Sequence, residues 1–304
     1  MDRGHMDYVN RFYPEITVTG FLPHGGAPME GRPKPIGERT IEVLYAGSLL
    51  AEYAKNQEPD FTQWDFPAKA ICETTIQKLL RNPRLTIEHA LEDTLGDYHI
   101  QMSDTKLQAF ISSCVYIERV VSSYFRERAV SAVARAGISL ELYGDGWSDC
   151  DFIRLPNVHY GGRIAPEEVL RKMEDAKIVL NTMPWFRDGS HERVFNGMLR
   201  GAVVCSETSG YLAEELPLDA WAPYELSAAD APPASVEAPS IEASSSDSAP
   251  CTIDRLPEKI QSLLRDTNAM QEIAARGYAL AKEKHTWQAR ARELHEDLLG
   301  GELC

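Results

Sequence analysis

Short apolar segments alternate with amphipathic ones over the second half of the chain, and this rhythm constrains the fold more than any other feature of the sequence. Apolar runs of strand length are followed by stretches with the three- and four-residue periodicity of helices. The predicted strands are 138–143, 158–160, 177–181 and 202–205, and the predicted helices are 166–175, 190–200 and 209–215. Because such alternation needs crossover connections, it predicts an α/β fold: a parallel sheet with helices on both faces.

Two regions depart from this rhythm. Residues 67–135 have helical periodicity, with Ser103 and Asp104 as candidate N-caps and Gly137 as a helix stop, and we expect a helical insertion over about 50–135. Residues 227–250 contain seven Ser, seven Ala and four Pro, too little apolar surface to offset the entropy of ordering. We therefore predict a disordered surface loop there, after which helices resume at 256–264, 269–282 and 287–299.

The first residues differ in character from the rest. Residues 1–6 read as a scar from an expression vector, because a second methionine follows a Gly-His pair, and we set them aside. Residues 7–38 are rich in Pro and Gly and predict an extended connector. A clean strand with a small-residue turn at its end then spans 41–48, and we expect one domain over 39–304.

The net charge argues against several classes of partner. Acidic residues outnumber basic ones by 46 to 31 in the 304-residue chain, and a formal charge of -15 repels nucleic-acid phosphates and anionic lipid. No apolar run approaches the ~20 residues that span a bilayer, and the N-terminus has no signal-peptide core. The six cysteines are scattered without a C-x-x-C pair, which is typical of reduced thiols. We expect a cytoplasmic protein with no nucleic-acid partner and no transmembrane segment.

Glycines and polar residues follow the predicted strands, at the edge where open parallel sheets bind their ligands. The helix start Gly189-Ser190-His191 offers unpaired amides and the positive end of a helix dipole. Arg193 adds a positive charge in the first turn of the same helix. Together these residues predict a cradle for a diphosphate.

A set of longer segments carries a more specific pattern. They are YGDGW at 143–147, PNVHYGGRI at 156–164, LNTMPWF at 180–186, DGSHERVFNGM at 188–198, GAVV at 201–204 and HTWQARA at 285–291. With these segments, residues 138–300 resemble the C-terminal, donor-binding domain of GT-B glycosyltransferases of the group 1 type. The likeness is greatest to their spore-maturation-protein-like branch.

The resemblance implies a Rossmann-like sheet, starting with the strand at 41–48, that binds a nucleotide-sugar. The sugar would pass to an acceptor, whether a glycan, a lipid-linked glycan or a protein. Arg193 and His191 would be catalytic, since they would neutralise the leaving diphosphate. The implied donor contacts are Gly47, Ser48, Gly144, Asp145, Gly162, Arg163, Ile164, Trp185, Asp188, Gly189, Ser190, Glu192 and Asn196. No metal or other cofactor is expected.

Within that set the resemblance assigns regions of the donor. Gly47 and Ser48 would approach the diphosphate, and Gly162-Arg163-Ile164 the nucleobase. Group 1 members often have two glutamates separated by seven residues for the sugar and the ribose, and Asp188 and Asn196 occupy those positions here. Both residues can still hydrogen-bond hydroxyl groups.

Other interpretations stay open at this point. Two features favour a non-catalytic nucleotide-sugar-binding or scaffold module. Both glutamates are replaced, and only a short segment precedes the first strand, where GT-B enzymes have an acceptor domain. A sugar-nucleotide epimerase is a third alternative. Structural roles compete at single residues: an exposed ion pair for Glu192 and Arg193, a turn cap for Asp145, a core position for Trp185, and pinning of the last helix for His285 and Trp287.

Overall fold

The parallel sheet is the centre of the fold. The structure, a computed structural model, describes residues 2–17, 19–50, 58–227 and 251–300, with the side chains of 297–300 left undescribed. In these residues six strands lie in the order β3-β2-β1-β4-β5-β6, and every neighbouring pair is parallel. The strands are β1 (Ile41–Ala46), β2 (Leu140–Tyr143), β3 (Val158–Tyr160), β4 (Ala176–Asn181), β5 (Val203–Glu207) and β6 (Ala222–Tyr224). The predicted Rossmann-like α/β class is confirmed.

Helices cover both faces of the sheet and fill the predicted insertion. The helices are α1 (Gly4–Phe12), α2 (Ala68–Arg81), α3 (Ile87–Asp97), α4 (Asp104–Ser113), α5 (Val115–Arg135), α6 (Pro166–Asp175), α7 (Glu192–Leu199), α8 (Gly210–Glu215), α9 (Leu256–Arg265), α10 (Thr267–Lys284) and α11 (Trp287–Gly300). Helices α2 to α5 lie between β1 and β2, so the helical insertion is confirmed. The predicted disordered loop falls almost wholly outside the described residues.

The strand order places a switch point between β1 and β4. The chain runs outward from β1 through β2 to β3, and then returns to the other side of β1 for β4. Val43 illustrates this position, since it pairs with Leu140 of β2 and with Ile178 of β4. Val43, Leu44 and Tyr45 are all fully buried because helices cover both faces of these central strands. In open sheets the crevice for a ligand lies at the carboxyl ends of strands at such a point.

The sixth strand was not predicted from the sequence. Strand β6 has three residues, and Pro223 is the middle one. A proline cannot donate to a ladder, so within a sheet it is confined to an edge, and β6 is an edge strand. Neither its length nor its composition gave a strand signal.

The segment before β1 packs along the domain. Arg3 forms ion pairs with Asp188 and Glu214, and the amide of Gly26 donates to the carbonyl of His285 at 2.7 Å. The amide of Trp287 donates back to the carbonyl of Gly26 at 3.1 Å. The vector origin of residues 1–6 and the connector role of 7–38 stay predictions.

The turn after β2 allows a direct test of the packing at the sheet edge. Gly146 has φ +83, and a β-carbon there would lie 1.9 Å from the carbonyl oxygen of Leu49. We expect Gly146→Ala to lower the free energy of unfolding by about 2 kcal/mol or more, measured by urea denaturation, because strain and a backbone clash add together. Gly137→Ala is the matched control: its φ is +76, but no atom lies within 4 Å of the added carbon. Equal losses in the two variants would show that the turns after β1 and β2 do not pack as described.

Candidate functional site

A cleft of about 870 Å³ opens at the carboxyl ends of β1 and β2. The first turns of α6 and α7 form its walls, and the ends of the two strands form its floor. The lining residues are Ala27, Ala46, Gly47, Ser48, Tyr143, Gly144, Arg163, Ile164, Ala165, Pro166, Val169, Leu170, Met173, His191, Glu192, Arg193, Asn196 and Trp287. The cleft therefore lies on the β1–β4 switch point that the topology singles out.

The guanidinium of Arg193 bridges the two strands at the switch point. Its Nη1 donates to the carbonyl of Ala46 at 2.8 Å, at the end of β1. Its Nε donates to Oδ1 of Asn181 at 2.9 Å, and its Nη2 to the carbonyl of Thr182 at 2.9 Å, both at the end of β4. A guanidinium carries five N–H groups, so these three bonds leave one N–H on each terminal nitrogen for a ligand.

Arg193 is a cation held away from water. Burial lowers the pKa of Arg193, and the Tyr45 ring, 6.0 Å from the guanidinium carbon, opposes that shift. An arginine remains protonated in proteins, so the charge persists at neutral pH. A buried cation bonded to carbonyl and amide oxygens rather than to a carboxylate keeps its charge available to an anion.

The glycine turns touch each other beneath the cleft. A β-carbon on Gly144, whose φ is +129, would lie 2.4 Å from the carbonyl oxygen of Gly47. The amide of Gly47 donates to the carbonyl of Tyr143, and the amide of Gly144 to the carbonyl of Gly162. Within the described residues the amide of Ser48 has no acceptor. The resemblance assigns the amides of Gly47 and Ser48 to a diphosphate. Of these two, the Ser48 amide remains available to a ligand.

His191 caps the start of α7 as a neutral group. Its Nδ1 accepts a hydrogen bond from the Arg193 amide at 3.2 Å, which places the ring proton on Nε2. Burial, followed by the charge of Arg193, lowers the pKa of His191 well below its usual range. His191 can therefore donate a neutral hydrogen bond from Nε2 beside the Arg193 cation.

Comparison with known families agrees with this geometry. Residues 126–229 match a family model described as glycosyl transferase-like. This part of the chain is similar to that family. Membership of the GT-B group 1 type and of its spore-maturation-protein-like branch stays a prediction. None of the curated proteins compared with the chain matches it.

The chain is similar to several solved glycosyltransferase structures, and the one with a TM-score of 0.50 shares its fold. Sucrose-phosphate synthase of Thermosynechococcus elongatus is 13% identical, with a TM-score of 0.50 over 99% of this chain and 58% of the other. HepE of Anabaena in complex with UDP and glucose is 16% identical, with a TM-score of 0.42 over 58% of this chain and 45% of the other. WaaG, a glycosyltransferase of lipopolysaccharide biosynthesis, is 11% identical, with a TM-score of 0.45 over 93% of this chain and 56% of the other. The chain thus covers about half the length of these structures.

The structure brings nine of the predicted site residues together in the cleft. They are Gly47, Ser48, Gly144, Arg163, Ile164, His191, Glu192, Arg193 and Asn196. The others lie outside its lining: Asp145, Gly162, Trp185, Asp188, Gly189 and Ser190. Asp145 pairs with Arg163 at the exposed rim, and Ser190 is buried beneath the start of α7.

The two positions of the family's glutamates are separated in this structure. Asp188 binds Arg3 and lines a different cavity, together with Glu207 and Gly210. Asn196 does line the cleft, but its Oδ1 accepts a hydrogen bond from the amide of Ala27 at 2.8 Å. In the described residues the exposed Glu192 is the carboxylate that lines the cleft.

Sequence reasoning missed two residues of this region. Nη1 of Arg126 donates to the carbonyl of Ser48 at 2.5 Å, and its Nε to the hydroxyl of Thr182 at 3.2 Å. A second guanidinium thus supports the loop after β1 from α5. Trp287 lines the cleft, although the sequence predicted only that it pins the last helix. Arg126 gave no separate signal, since several arginines are spaced along the same helix.

Two further features bear on the chemistry. In the ranges that the structure describes, no three His, Cys, Asp or Glu side chains are grouped to hold a metal ion. In the same ranges, no helix has the length and apolarity needed to cross a membrane.

The neutral state of His191 predicts a pH dependence of stability. The unfolded chain takes up a proton at this position near pH 6.5, whereas the folded chain does not until well below that pH, so the native state loses stability as the pH falls through 6.5. Asparagine is also a good N-cap but does not titrate. We expect His191→Asn to reduce the slope of unfolding free energy between pH 6 and 5 by up to about 1.4 kcal/mol per pH unit.

The comparison is made by urea denaturation at several pH values. Above pH 7.5 the imidazole is neutral in both states, so the two proteins should show parallel stability there, which serves as the internal control. Identical slopes below pH 6 would contradict the buried, neutral His191.

Proposed function

We propose that the cleft binds a nucleoside diphosphate-sugar and that the chain is the donor-binding part of a glycosyltransferase. The observation that carries the proposal is the Arg193 guanidinium, which bridges β1 and β4 at the sheet's switch point beside the Gly47-Ser48 turn. Two N–H groups of that guanidinium, the Ser48 amide and Nε2 of His191 have no acceptor within the described residues, and all belong to residues that line the cleft. This is the donor set that a diphosphate needs.

The same geometry favours transfer as well as binding. When a glycosidic bond to a diphosphate breaks, negative charge grows on the phosphate oxygens. A fixed guanidinium strengthens its interaction as that charge develops, and such an interaction lowers the barrier rather than only tightening the complex. Arg193 is held by three hydrogen bonds before a ligand arrives, so little reorganisation is needed.

The nucleobase is best accommodated at the other end of the cleft. Arg163 and Ile164 follow β3, two strands away from the switch point, and the half-buried Ile164 offers an apolar surface beside Val169 of α6. A flat base can cover such a surface, and Asn196, which also lines the cleft, has an amide group that can hydrogen-bond ribose hydroxyls.

A non-catalytic nucleotide-sugar-binding module is the second candidate. The observation in its favour is that Asp188 lies outside the cleft and that Oδ1 of Asn196 is already bonded to Ala27. The two candidates differ in turnover. Release of free glucose from a nucleotide-glucose by the purified chain, lost in Arg193→Lys, supports the transferase; tight binding without any turnover, even with candidate acceptors, supports the module.

Binding is tested first with UDP, GDP and dTDP by calorimetry. We expect one of them to bind and Arg193→Lys to weaken it by about tenfold or more, because lysine keeps the charge but loses the fork that faces both the strands and the phosphates. Because Arg193→Lys can also lower the stability of the protein, a second variant is needed. Ile164→Asp changes a half-buried residue at the end of the cleft proposed for the nucleobase. Leu218→Asp, at a residue 79% exposed and outside the cleft, is its matched control. No binding by the wild-type protein at millimolar nucleotide would contradict the proposal.

A further inference from the structure

Trp287 is an exposed aromatic side chain inside the cleft. It is 44% exposed, although tryptophan side chains in folded proteins are highly buried on average. Its indole lines the same cleft as Gly47, Arg193 and Asn196. Large apolar surface exposed within a concave site is a common mark of ligand contact.

The backbone of Trp287 is fixed by the segment 24–27. Its amide donates to the carbonyl of Gly26, and a β-carbon on Gly25 would lie 2.8 Å from the same amide nitrogen. A β-carbon on Gly26 would lie 2.6 Å from Leu199 of α7. The backbone at the start of α11 is thereby held against α7 before any ligand binds.

The neighbours of Trp287 place it beside the start of α7. The ring of His24 lies 6.2 Å from the Trp287 indole, edge to face, and 6.0 Å from the ring of His191. Nδ1 of His24 is hydrogen-bonded to the carbonyl of Ser190 at 2.6 Å. Trp287 therefore stands at the α7 end of the cleft, whereas Ile164 stands at the β3 end.

The order of these groups assigns a part of the donor to Trp287. Along the cleft, Ile164 after β3 is followed by the turns after β2 and β1 and then by Arg193 between β1 and β4. If the diphosphate lies at Arg193 and the base at Ile164, the group beyond the diphosphate is the sugar. We propose that Trp287 is the platform on which the transferred sugar ring stacks, an inference that rests on the function proposed above.

The chemistry of a sugar fits an indole face. A pyranose ring carries its C–H bonds on one apolar face and its hydroxyl groups around the rim. Trp287 can cover that face and remove apolar area from water, while the hydroxyl groups remain available to Glu192 and to solvent. A rigid aromatic surface does this at a small cost in conformational entropy because its backbone is already fixed.

The test compares each nucleoside diphosphate with its glucose conjugate by calorimetry. The pairs are UDP with UDP-glucose, GDP with GDP-glucose and dTDP with dTDP-glucose. We expect Trp287→Ala to weaken the glucose conjugate by about tenfold while changing the nucleoside diphosphate alone by less than about twofold. Trp287→Phe keeps an aromatic face and should restore most of the loss. Leu294→Ala, on the same helix and also 44% exposed, is the matched control and should change neither ligand.

Each outcome separates the two proposals. If Trp287→Ala weakens both members of a pair equally, the indole contacts the nucleotide, and the sugar platform is overturned while nucleotide binding stands. If it weakens neither member, the platform is likewise overturned. If wild-type protein binds no member of any pair, the proposed function fails and the platform fails with it. Selective loss in Trp287→Ala with rescue in Trp287→Phe supports the platform.

Discussion

The guanidinium of Arg193 is the contact on which the rest of the site depends. It donates hydrogen bonds to the last carbonyl of β1 and to two acceptors at the end of β4. It thereby joins the carboxyl ends of these two strands at the switch point of the sheet. Without it, the Ala46 and Thr182 carbonyls and the Asn181 amide oxygen would lose a charged donor in a buried place, which costs more than a bond between neutral groups. The residue that shapes the cleft is thus the residue best placed to bind an anion in it.

The cleft is completed by parts of the chain that are far apart in sequence. Segment 24–27 binds Asn196 of α7 and the start of α11, and Arg200, the C-cap residue of α7, donates back to the carbonyl of Ala27. Arg290 of α11 adds a bond to the carbonyl of His24. The positions of the His191 and Trp287 rings therefore follow from one compact set of contacts, which explains how a short glycine-containing segment can fix both walls at that end.

The sequence was sufficient for five of the six strands and for the position of Arg193. Buried strands of β-branched and aliphatic residues and the turn glycines Gly47 and Gly144 are local signals, and Arg193 follows from its position in the first turn of a helix after a strand. Strand β6 was missed because a three-residue edge strand with a central proline has no periodicity. The resemblance assigned Asp188 to the donor site, but Asp188 pairs with Arg3 and lines a different cavity. Contacts such as Arg126 with Ser48 and Trp287 with the cleft join distant segments, and no local pattern encodes them.

The chain as a whole is negatively charged, whereas Arg193 places a positive charge in its cleft. An anion can bind there because the long-range repulsion is screened and the contact with Arg193 is not. At long range a chain of formal charge -15 repels a nucleoside diphosphate, but salt screens that repulsion over about 10 Å. Arg193 acts at contact distance in a place from which water is largely removed, where a cation interacts with an anion far more strongly than at the surface. His191 does not add a second charge there, because its lowered pKa keeps it a neutral donor. An anion at the start of α7 would thus be bound by the fixed charge of Arg193 and by several neutral N–H groups. That arrangement discriminates by geometry, since an anion of another shape would leave some of these donors unpaired.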